Sequence, residues 1–381
     1  MSTNLISLLL LLSTTATATA ITTTAPSDIT ALKAIKSSIN PSTILSYTCL
    51  HSWDFTSDPC KPPHVTHFLC GLSCSGNRVT QLTFDTAGYS GTLPSLVSQL
   101  TQLITIDLSD NKFHGPIPNS LFSLPNLQTL ILGSNSFSGV IPLAISNLKK
   151  LQTLDISHNS MSGSLPNSLT QLTELTRLDL SFNKLTGPIP NLPKHLIQLA
   201  LKGNLLSGYL QKQAFTDSTQ LEVVELSENS LAGTIPGWFF ITPSLQQVNL
   251  ANNSFTGVEI LNPVNKHSNL VAVNLGFNKL AGYLPANFSA YPMLAALTLS
   301  YNKLIGRIPW EYSKLSRVFL DGNFLIGLPP KEFFSRRISI SGSLGDNCLK
   351  SCPVSSELCL KSQKPWSICQ KAYRGKLKPN F

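Results

Sequence analysis

The sequence has little charge, and the middle of the chain has no cysteine. Charged residues make up 12% of the 381 residues and hydrophobic residues 42%, which excludes an intrinsically disordered chain and provides enough apolar side chains for a large core. The cysteines fall in two groups of four near the two ends. This grouping is typical of disulfides formed outside the cytosol and predicts two caps with two disulfides each, while the pairing within each cap stays open. The predicted disulfide cysteines are Cys49, Cys60, Cys70, Cys74, Cys348, Cys352, Cys359 and Cys369.

Long apolar runs are also scarce. The stretch from Leu5 to Leu12 is too short for a membrane span, which needs about 20 apolar residues. Small residues at Ala18-Thr19-Ala20 follow it, so the pattern predicts a signal peptide over residues 1–20 and secretion of the mature chain. No second stretch of comparable length follows, and we therefore predict neither a transmembrane helix nor a lipid anchor.

Acidic residues are missing from residues 361–381, which carry six cations in a chain of formal net charge +9. We interpret this segment as a basic tail. Such a tail could contact an acidic polysaccharide or a membrane surface, or it could simply be solvated. Its cations are Lys361, Lys364, Lys371, Arg374, Lys376 and Lys378.

The motifs of common enzymes are missing as well. We find no G-x-S-x-G turn, no phosphate-binding loop and no carboxylate pair typical of general acid–base catalysis, so the sequence predicts neither an enzyme nor a bound cofactor. A zinc site is one alternative, but four cysteines in an extracellular cap favour disulfides. The residues with zinc-like spacing are Cys60, His64, His67, Cys70 and Cys74.

What the sequence does contain is one motif repeated along the chain. LDLSFNKLTGPIP at residues 178–190 has near-copies such as IDLSDNKFHGPIP at residues 106–118 and LTLSYNKLIGRIP at residues 297–309. Aligned copies from Val79 to Leu315 follow one another at steps of 21 to 25 residues, a period that predicts a solenoid. Leucines alternate with polar residues as in a short strand with one buried face, so stacked copies should build a parallel sheet.

An asparagine stands at the same offset in ten copies. An amide both donates and accepts hydrogen bonds, so a column of asparagines can satisfy backbone groups where the chain turns after each strand. This regular repetition predicts a structural role for them. They are Asn111, Asn135, Asn159, Asn183, Asn204, Asn229, Asn253, Asn278, Asn302 and Asn323.

The complete pattern L-x-x-L-x-L-x-x-N-x-L-x-G-x-I-P resembles the plant extracellular leucine-rich repeat, which occurs in receptor-like kinases, receptor-like proteins and polygalacturonase-inhibiting proteins. Ser52-Trp53, Asp58-Pro59-Cys60 and Cys74 resemble the plant-type cap that precedes such repeats. Residues 64–74 depart from the family's W-x-G-V-x-C motif, and the paired Cys-Cys of the inhibitors is missing.

The resemblance implies an α/β solenoid: a right-handed leucine-rich-repeat superhelix with a parallel concave β-sheet and disulfide-stapled caps. It divides the chain into an N-terminal cap (21–78), repeats (79–335) and a C-terminal cysteine cap with the basic tail (336–381).

The resemblance also implies a function in recognition. We expect a secreted protein that binds a protein or peptide partner, as a receptor-like protein or co-receptor in signalling or defence. Its partner would be a peptide, a membrane receptor kinase or a secreted pectinase, and not a nucleic acid. The expected location is the apoplast or cell wall, or the plasma membrane through a partner. Two alternatives stay open: an inhibitor of pectin-degrading enzymes, and a structural protein bound to the wall.

The variable residues between the leucines should form the binding surface on the concave side. Its middle is acidic, and aromatic residues concentrate towards its C-terminal end, where exposed rings are typical of binding anchors. The candidate binding residues are Asp155, Asp179, Phe182, Glu222, Glu225, Glu228, Phe277, Tyr301 and Phe319. Sequons predict N-glycosylation at Asn252 and Asn287.

Overall fold

The computed structural model describes residues 23–60, 71–335, 340–353 and 355–373. The predicted signal peptide lies outside these residues, as do Cys70, His64 and His67 of the zinc alternative.

An N-terminal helix, α1 (Pro26–Ser37), covers the first repeat. It begins with a proline in its first turn, and its buried Ala31, Leu32 and Ile35 join the core. The fully buried Asp28 accepts a hydrogen bond from the backbone N–H of Val79 at 2.8 Å and pairs with Arg78 at 2.9 Å. The helix is therefore attached to the first strand of the repeats by a paired, hydrogen-bonded carboxylate.

One long sheet runs through the described residues, and we call it the concave sheet. Its first two strands are antiparallel, and every later pair is parallel with unshifted register. Its thirteen strands are Leu72–Ser75, Arg78–Thr83, Thr105–Asp107, Thr129–Ile131, Thr153–Asp155, Arg177–Asp179, Gln198–Ala200, Val223–Glu225, Gln247–Asn249, Ala272–Asn274, Ala296–Thr298, Arg317–Phe319 and Ser341–Ser343.

Two further parallel sheets follow the turns after these strands. The first, which we call the outer sheet, contains Ser90–Gly91, Lys112–Pro116, Ser136–Val140, Ser160–Ser164, Lys184–Gly187, Leu205–Gly208, Ser230–Ile235 and Ser254–Val258. The second, the C-terminal outer sheet, contains Ala281–Tyr283, Lys303–Gly306, Phe324–Gly327 and Cys348–Leu349.

Short 3₁₀ helices complete most coils. Nine of those described follow directly after a proline, whose fixed φ suits the extended residue before a helical turn. They are Pro41–Thr43, Cys49–Ser52, Ser95–Gln99, Asn119–Ser123, Leu143–Asn147, Asn167–Gln171, Gly237–Phe239, Val264–Lys266, Ala286–Ala290, Trp310–Lys314, Lys331–Phe334 and Glu357–Cys359. Two short α-helices, α2 (Lys212–Phe215) and α3 (Trp366–Ala372), complete the described elements.

The predicted asparagine column is confirmed and has one more member. Asn347, in the C-terminal cap, is fully buried, donates to the carbonyls of Leu320, Leu344 and Gly345, and accepts a hydrogen bond from the N–H of Leu325. The ten predicted asparagines bond in the same way; Asn253, for example, donates to Leu226 O at 3.0 Å. The repeat pattern therefore extends by one coil into the C-terminal cap, where Ser341–Ser343 is the last strand of the concave sheet.

Disulfides lie in both caps, as predicted. The described pairs are Cys60–Cys74, Cys348–Cys369 and Cys352–Cys359, and Cys49 is disulfide-bonded as well. Because Cys60 and Cys74 bond to each other, they are not available as zinc ligands.

The interpretation of residues 361–381 as a tail is wrong for its first part. Lys361, Lys364 and Lys371 belong to the folded C-terminal cap, and Lys371 lies on α3. Arg374, Lys376 and Lys378 lie outside the described residues.

Candidate binding surface

The predicted exposed positions of the strands form one column across the concave sheet. Register pairs Asp155 with Asp179, and further along it pairs Glu225 with Asn249 and Thr298 with Phe319. These side chains are half-buried up to Thr298, whereas Phe319 is 38% exposed.

The acidic side chains of this column are fixed by their own turns. Asp155 Oδ1 accepts hydrogen bonds from the N–H and hydroxyl of Ser157, at 2.9 and 2.7 Å, and Asp179 accepts one from the N–H of Ser181 at 3.0 Å. Glu225 bonds to the corresponding Ser227 and also accepts from the amide of Asn249. These carboxylates are held in one orientation, so a ligand would meet a preorganised row of acceptors.

The three glutamates of one repeat occupy three different environments. Glu225 lies within the column just described, Glu222 precedes its strand, and Glu228 lies in the turn after it. Glu228 pairs with Lys202 at 3.3 Å, with both side chains partly exposed. The acidic patch is therefore less concentrated than the sequence spacing indicates.

A second column lies where each chain segment leaves the concave sheet, and we call it the rim column. Its residues adopt left-handed backbone with φ between 52° and 75°, a conformation that is costly for a bulky side chain. It consists of Asp110, Ser134, His158, Phe182, Gly203, Glu228, Asn252, Phe277, Tyr301 and Gly322.

The first aromatic stack in the rim column joins His158 and Phe182. Their ring centroids are 4.3 Å apart and the planes are inclined by 24°. Phe182 extends over Gly203, where a Cβ would lie 2.7 Å from the ring, and Lys202 Nζ lies 5.3 Å from the ring centroid. Because Gly203 has no side chain, the ring of Phe182 can lie directly over it.

The second stack joins Phe277 and Tyr301. The centroids are 4.5 Å apart with an inclination of 15°, and Tyr301 extends over Gly322 just as Phe182 extends over Gly203. Phe277 remains 56% exposed and Tyr301 37%. Together with the exposed Phe319, these rings form an apolar area at the C-terminal end of the surface.

Lys361 of the C-terminal cap closes this end of the rim column. Its ammonium donates to Asp321 Oδ2 at 2.6 Å and to the hydroxyl of Tyr301 at 3.0 Å. The hydrogen bond to Asp321, followed by the one to Tyr301, raises the pKa of Lys361 above its ordinary value. Tyr301 is thus both an exposed ring and an anchor for the cap.

Sequence reasoning missed three members of this surface: His158, Lys202 and Lys361. His158 carried a usable signal, because it stands one repeat before Phe182 at the same offset, as Phe277 stands before Tyr301. Lys361 carried none, since forty residues separate it from Asp321.

The two predicted glycosylation sites lie in different places. Asn252 is an exposed member of the rim column beside Phe277, so a sugar there would border the second stack. Asn287 is exposed in the 3₁₀ helix Ala286–Ala290, away from the concave sheet.

The described part of the chain contains neither a candidate metal site nor a helix that could cross a membrane. No group of three or more His, Cys, Asp or Glu side chains there is arranged to hold a metal ion. None of the helices described has the length and apolar character needed to cross a membrane.

The fold and these columns define a leucine-rich-repeat protein, and comparison with known families agrees. The leucine rich repeat models match residues 102–124 and 125–185, and the leucine rich repeat N-terminal domain matches residues 25–66. The chain therefore carries a leucine rich repeat N-terminal domain followed by leucine-rich repeats.

Similar proteins of known sequence are plant receptor-like proteins and receptor kinases. Receptor-like protein 18 of Arabidopsis thaliana is 36% identical over 114 residues, which are 29% of this chain and 14% of that protein. Calmodulin-binding receptor kinase CaMRLK of Arabidopsis thaliana is 32% identical over 32% of this chain and 18% of that protein. The matches thus span less than a fifth of these relatives. Together with the disulfides, the similarity indicates an extracellular plant-type protein.

Similar solved structures cover more of the chain. The plant peptide hormone receptor RGFR1 in complex with RGF2 is 32% identical with a TM-score of 0.63, over 68% of this chain and 42% of that one. PEPR1–AtPEP1 is 28% identical with a TM-score of 0.72, over 86% and 45%. A plant ice-binding protein is 25% identical with a TM-score of 0.60, over 91% of this chain and 100% of that one.

Proposed function

We propose that this protein is an extracellular recognition module that binds a peptide or protein partner along the concave sheet and the rim column. It would act as a receptor-like protein or as a co-receptor in signalling or defence. The proposal concerns binding and not catalysis, since the fixed carboxylates lie on an open surface that does not enclose a substrate.

The observation that carries this proposal is the pair of aromatic stacks at the rim. His158–Phe182 and Phe277–Tyr301 expose ring surface while they hold costly left-handed backbone. Folding alone would favour glycine or asparagine there, because these residues adopt that conformation with least strain. Exposed rings at strained positions are therefore best explained as contacts for a partner.

The acidic side chains of the concave sheet, which lie beside the first stack and continue towards the second, indicate the polarity of the partner. Asp155, Asp179 and Glu225 each present a carboxylate already oriented by a neighbouring serine. An extended segment with donors or cations facing the concave sheet and apolar side chains facing the two stacks at the rim would complement this surface. The similar structure of RGFR1 with RGF2 is that of a plant peptide hormone receptor, which supports the same class of ligand here.

The test is affinity capture with the full secreted chain from plant membrane and apoplastic extracts. Capture by the unchanged protein would be compared with capture by Phe182→Ala and Phe277→Ala variants. Tyr209→Ala is the matched control, because Tyr209 is an aromatic residue 65% exposed just after the outer-sheet strand Leu205–Gly208. We expect a rim variant to lose partners that the control retains, with affinity for the purified partner reduced about thirtyfold. Capture that no rim variant alters would refute the proposal.

The identity of the captured proteins separates the remaining alternatives. Receptor kinases that depend on Phe277 would support the co-receptor role. Pectin-degrading enzymes in their place, with activity lowered by the purified chain, would favour the inhibitor role instead.

A second candidate function is ice binding, and the outer sheet carries the observation that favours it. Its solvent side carries many hydroxyl side chains, some of which adjoin across neighbouring strands about 4.8 Å apart. Ser138 pairs with Ser160 and Ser164 with Thr186, and such pairs could order water. Thermal hysteresis and ice recrystallisation assays on the unchanged chain and on a Ser162→Tyr variant test this function. The hydroxyl residues at non-buried positions of these strands are Ser90, Ser136, Ser138, Ser160, Ser162, Ser164, Thr186, Ser207, Ser230, Thr234, Ser254 and Thr256.

A further inference from the structure

A groove of about 790 Å³ lies between the C-terminal outer sheet and the C-terminal cap, away from the rim column. Among the described residues that line it, three are cationic and none is Asp or Glu. Three of its exposed side chains are large and apolar: Tyr283 at 70%, Leu328 at 67% and Trp366 at 54%. The cations are Arg307, Lys350 and Lys364.

Glycines in the strands hold two of these side chains flat along the sheet. Gly306 has a φ of 87°, and the ring of Tyr283 occupies the space that a Cβ would need there. One strand further, a Cβ at Gly327 would lie 3.4 Å from both Cγ and Nε of Arg307. Tyr283 and Arg307 therefore lie side by side on adjacent coils and form the floor of the groove.

The opposite wall is fixed to the same strands. Disulfide Cys348–Cys369 joins the last strand to α3, and the hydroxyl of Tyr373 accepts from Gly306 N–H and donates to Phe324 O, both at 2.8 Å. Because these bonds span two coils, the wall is preorganised and little ordering would be needed on binding.

The charges of the groove are unevenly compensated. Lys364 is 13% exposed, pairs with Asp346 at 2.9 Å and lies over the ring of Phe324. In the described part of the chain neither Arg307 nor Lys350 takes part in a salt bridge. These two cations leave a positive site beside exposed rings.

We propose that this groove binds an acidic oligosaccharide, a run of uronic-acid sugars. The guanidinium of Arg307 can pair with a carboxylate through two parallel hydrogen bonds, and Lys350 supplies a second cation. The flat faces of Tyr283 and Trp366 suit the C–H faces of pyranose rings. An acidic peptide would use the cations but would leave both rings without a matching surface. This groove is separate from the proposed partner surface, so an experiment can refute one of the two proposals without affecting the other.

The test is calorimetric titration of the full chain with an oligogalacturonate, a neutral galactan oligomer and a polyglutamate peptide. We expect binding of the oligogalacturonate alone among the three probes. An Arg307→Gln/Lys350→Gln variant should lose at least about tenfold in affinity, and Tyr283→Ser should weaken binding with no change in net charge.

A Lys112→Gln/Lys184→Gln variant is the matched control, because it removes the same charge from exposed positions of the outer sheet. It should retain affinity within about twofold, as expected if the cations act locally rather than through net charge. Melting curves would verify that all variants are folded. No binding of the oligogalacturonate, equal loss in the control, or polyglutamate binding as tightly would each overturn the assignment.

Discussion

Lys361 Nζ lies 2.6 Å from Asp321 Oδ2, an ion pair that attaches the C-terminal cap to a repeat forty residues earlier. The Asp321 side chain is only 5% exposed, and its other oxygen accepts a hydrogen bond from Ser300 Oγ at 2.6 Å. The carboxylate is therefore buried in a site completed by the cap.

Replacing Lys361 with methionine should lower the free energy of unfolding by about 1–3 kcal/mol, because a buried carboxylate loses its cation. Urea unfolding would measure the loss, with Lys371→Met on α3 as an exposed control. Adding Asp321→Asn should restore part of the stability, since asparagine can still accept from Ser300 without a charge. A double variant less stable than Lys361→Met would contradict this account.

The two rings of the second stack should differ in their effect on stability. Phe277→Ala removes one partner of a stacked pair, which is worth about 0.5–1.5 kcal/mol. Tyr301→Ala removes the same stack and also the hydrogen bond from Lys361, so it should cost about 1 kcal/mol more. Thermal unfolding of the two variants gives the comparison, and equal melting temperatures would show that Lys361 does not use Tyr301 as an anchor.

Asn347→Ala should destabilise the C-terminal cap by about 2 kcal/mol or more, because buried backbone groups of two successive coils lose their partner. Denaturant unfolding would report the change. Asn269→Ala is the control, since Asn269 is exposed and its one side-chain hydrogen bond among the described residues is 3.4 Å long. An effect no larger than that of the control would mean that Asn347 contributes little to the stability of the cap.

Because two tyrosines are buried, we expect the free energy of unfolding to fall at alkaline pH. Burial, aided by the hydrogen bond to Asp85, raises the pKa of Tyr89 to about 12, and burial raises the pKa of Tyr291 to about 12 as well. An unfolded tyrosine has a pKa of about 10. Between about pH 10 and 12 the folded chain binds more protons, so the free energy of unfolding falls as the pH rises.

Urea unfolding at about pH 9 and pH 11 should show this fall, on the order of 1 kcal/mol for each buried phenol. Tyr89→Phe should reduce the difference between the two pH values. Tyr47→Phe is the control, because Tyr47 is 71% exposed. The same pH dependence in both variants would rule out Tyr89 as a source.

Leu180→Ala and Leu275→Ala should each cost about 2–5 kcal/mol as truncations in a close-packed core. Both side chains are fully buried beneath the concave sheet. Leu205→Ala, at a position 56% exposed on the outer sheet, should change the melting curve far less. A loss of similar size at Leu205 would indicate that stability does not follow burial here.

Periodic features were predictable from the sequence because each coil repeats the same local physics. A leucine, isoleucine or valine in nearly every strand of the concave sheet faces the core. The asparagine in the following turn bonds to its own turn and to the preceding coil. Asn347 was not predicted because the strand Ser341–Ser343 before it has a glycine at the central position, where the other three-residue strands of the concave sheet have leucine, isoleucine or valine. Only the short match Leu344-x-x-Asn347 would have indicated it.

Contacts between distant segments were not predictable in this way. The cap returns to Tyr301 and Asp321 through Lys361, and no spacing rule connects these residues. The two aromatic stacks were predictable in part. Strands lie about 4.8 Å apart, so planar side chains at the same offset in consecutive repeats must contact each other. The left-handed backbone of the rim column was not expected, since Phe and Tyr rarely adopt it.

Lys361 and Tyr373 each contact two successive coils, and this sets how the end of the stack comes apart. A coil at the end of a solenoid has one neighbour instead of two, so fraying ordinarily begins there and proceeds coil by coil. Here Lys361 joins the turns at Tyr301 and Asp321, while Tyr373 joins the strands at Gly306 and Phe324. The last coils and the cap should therefore open together, and hydrogen exchange in this region should follow one rate rather than a gradient.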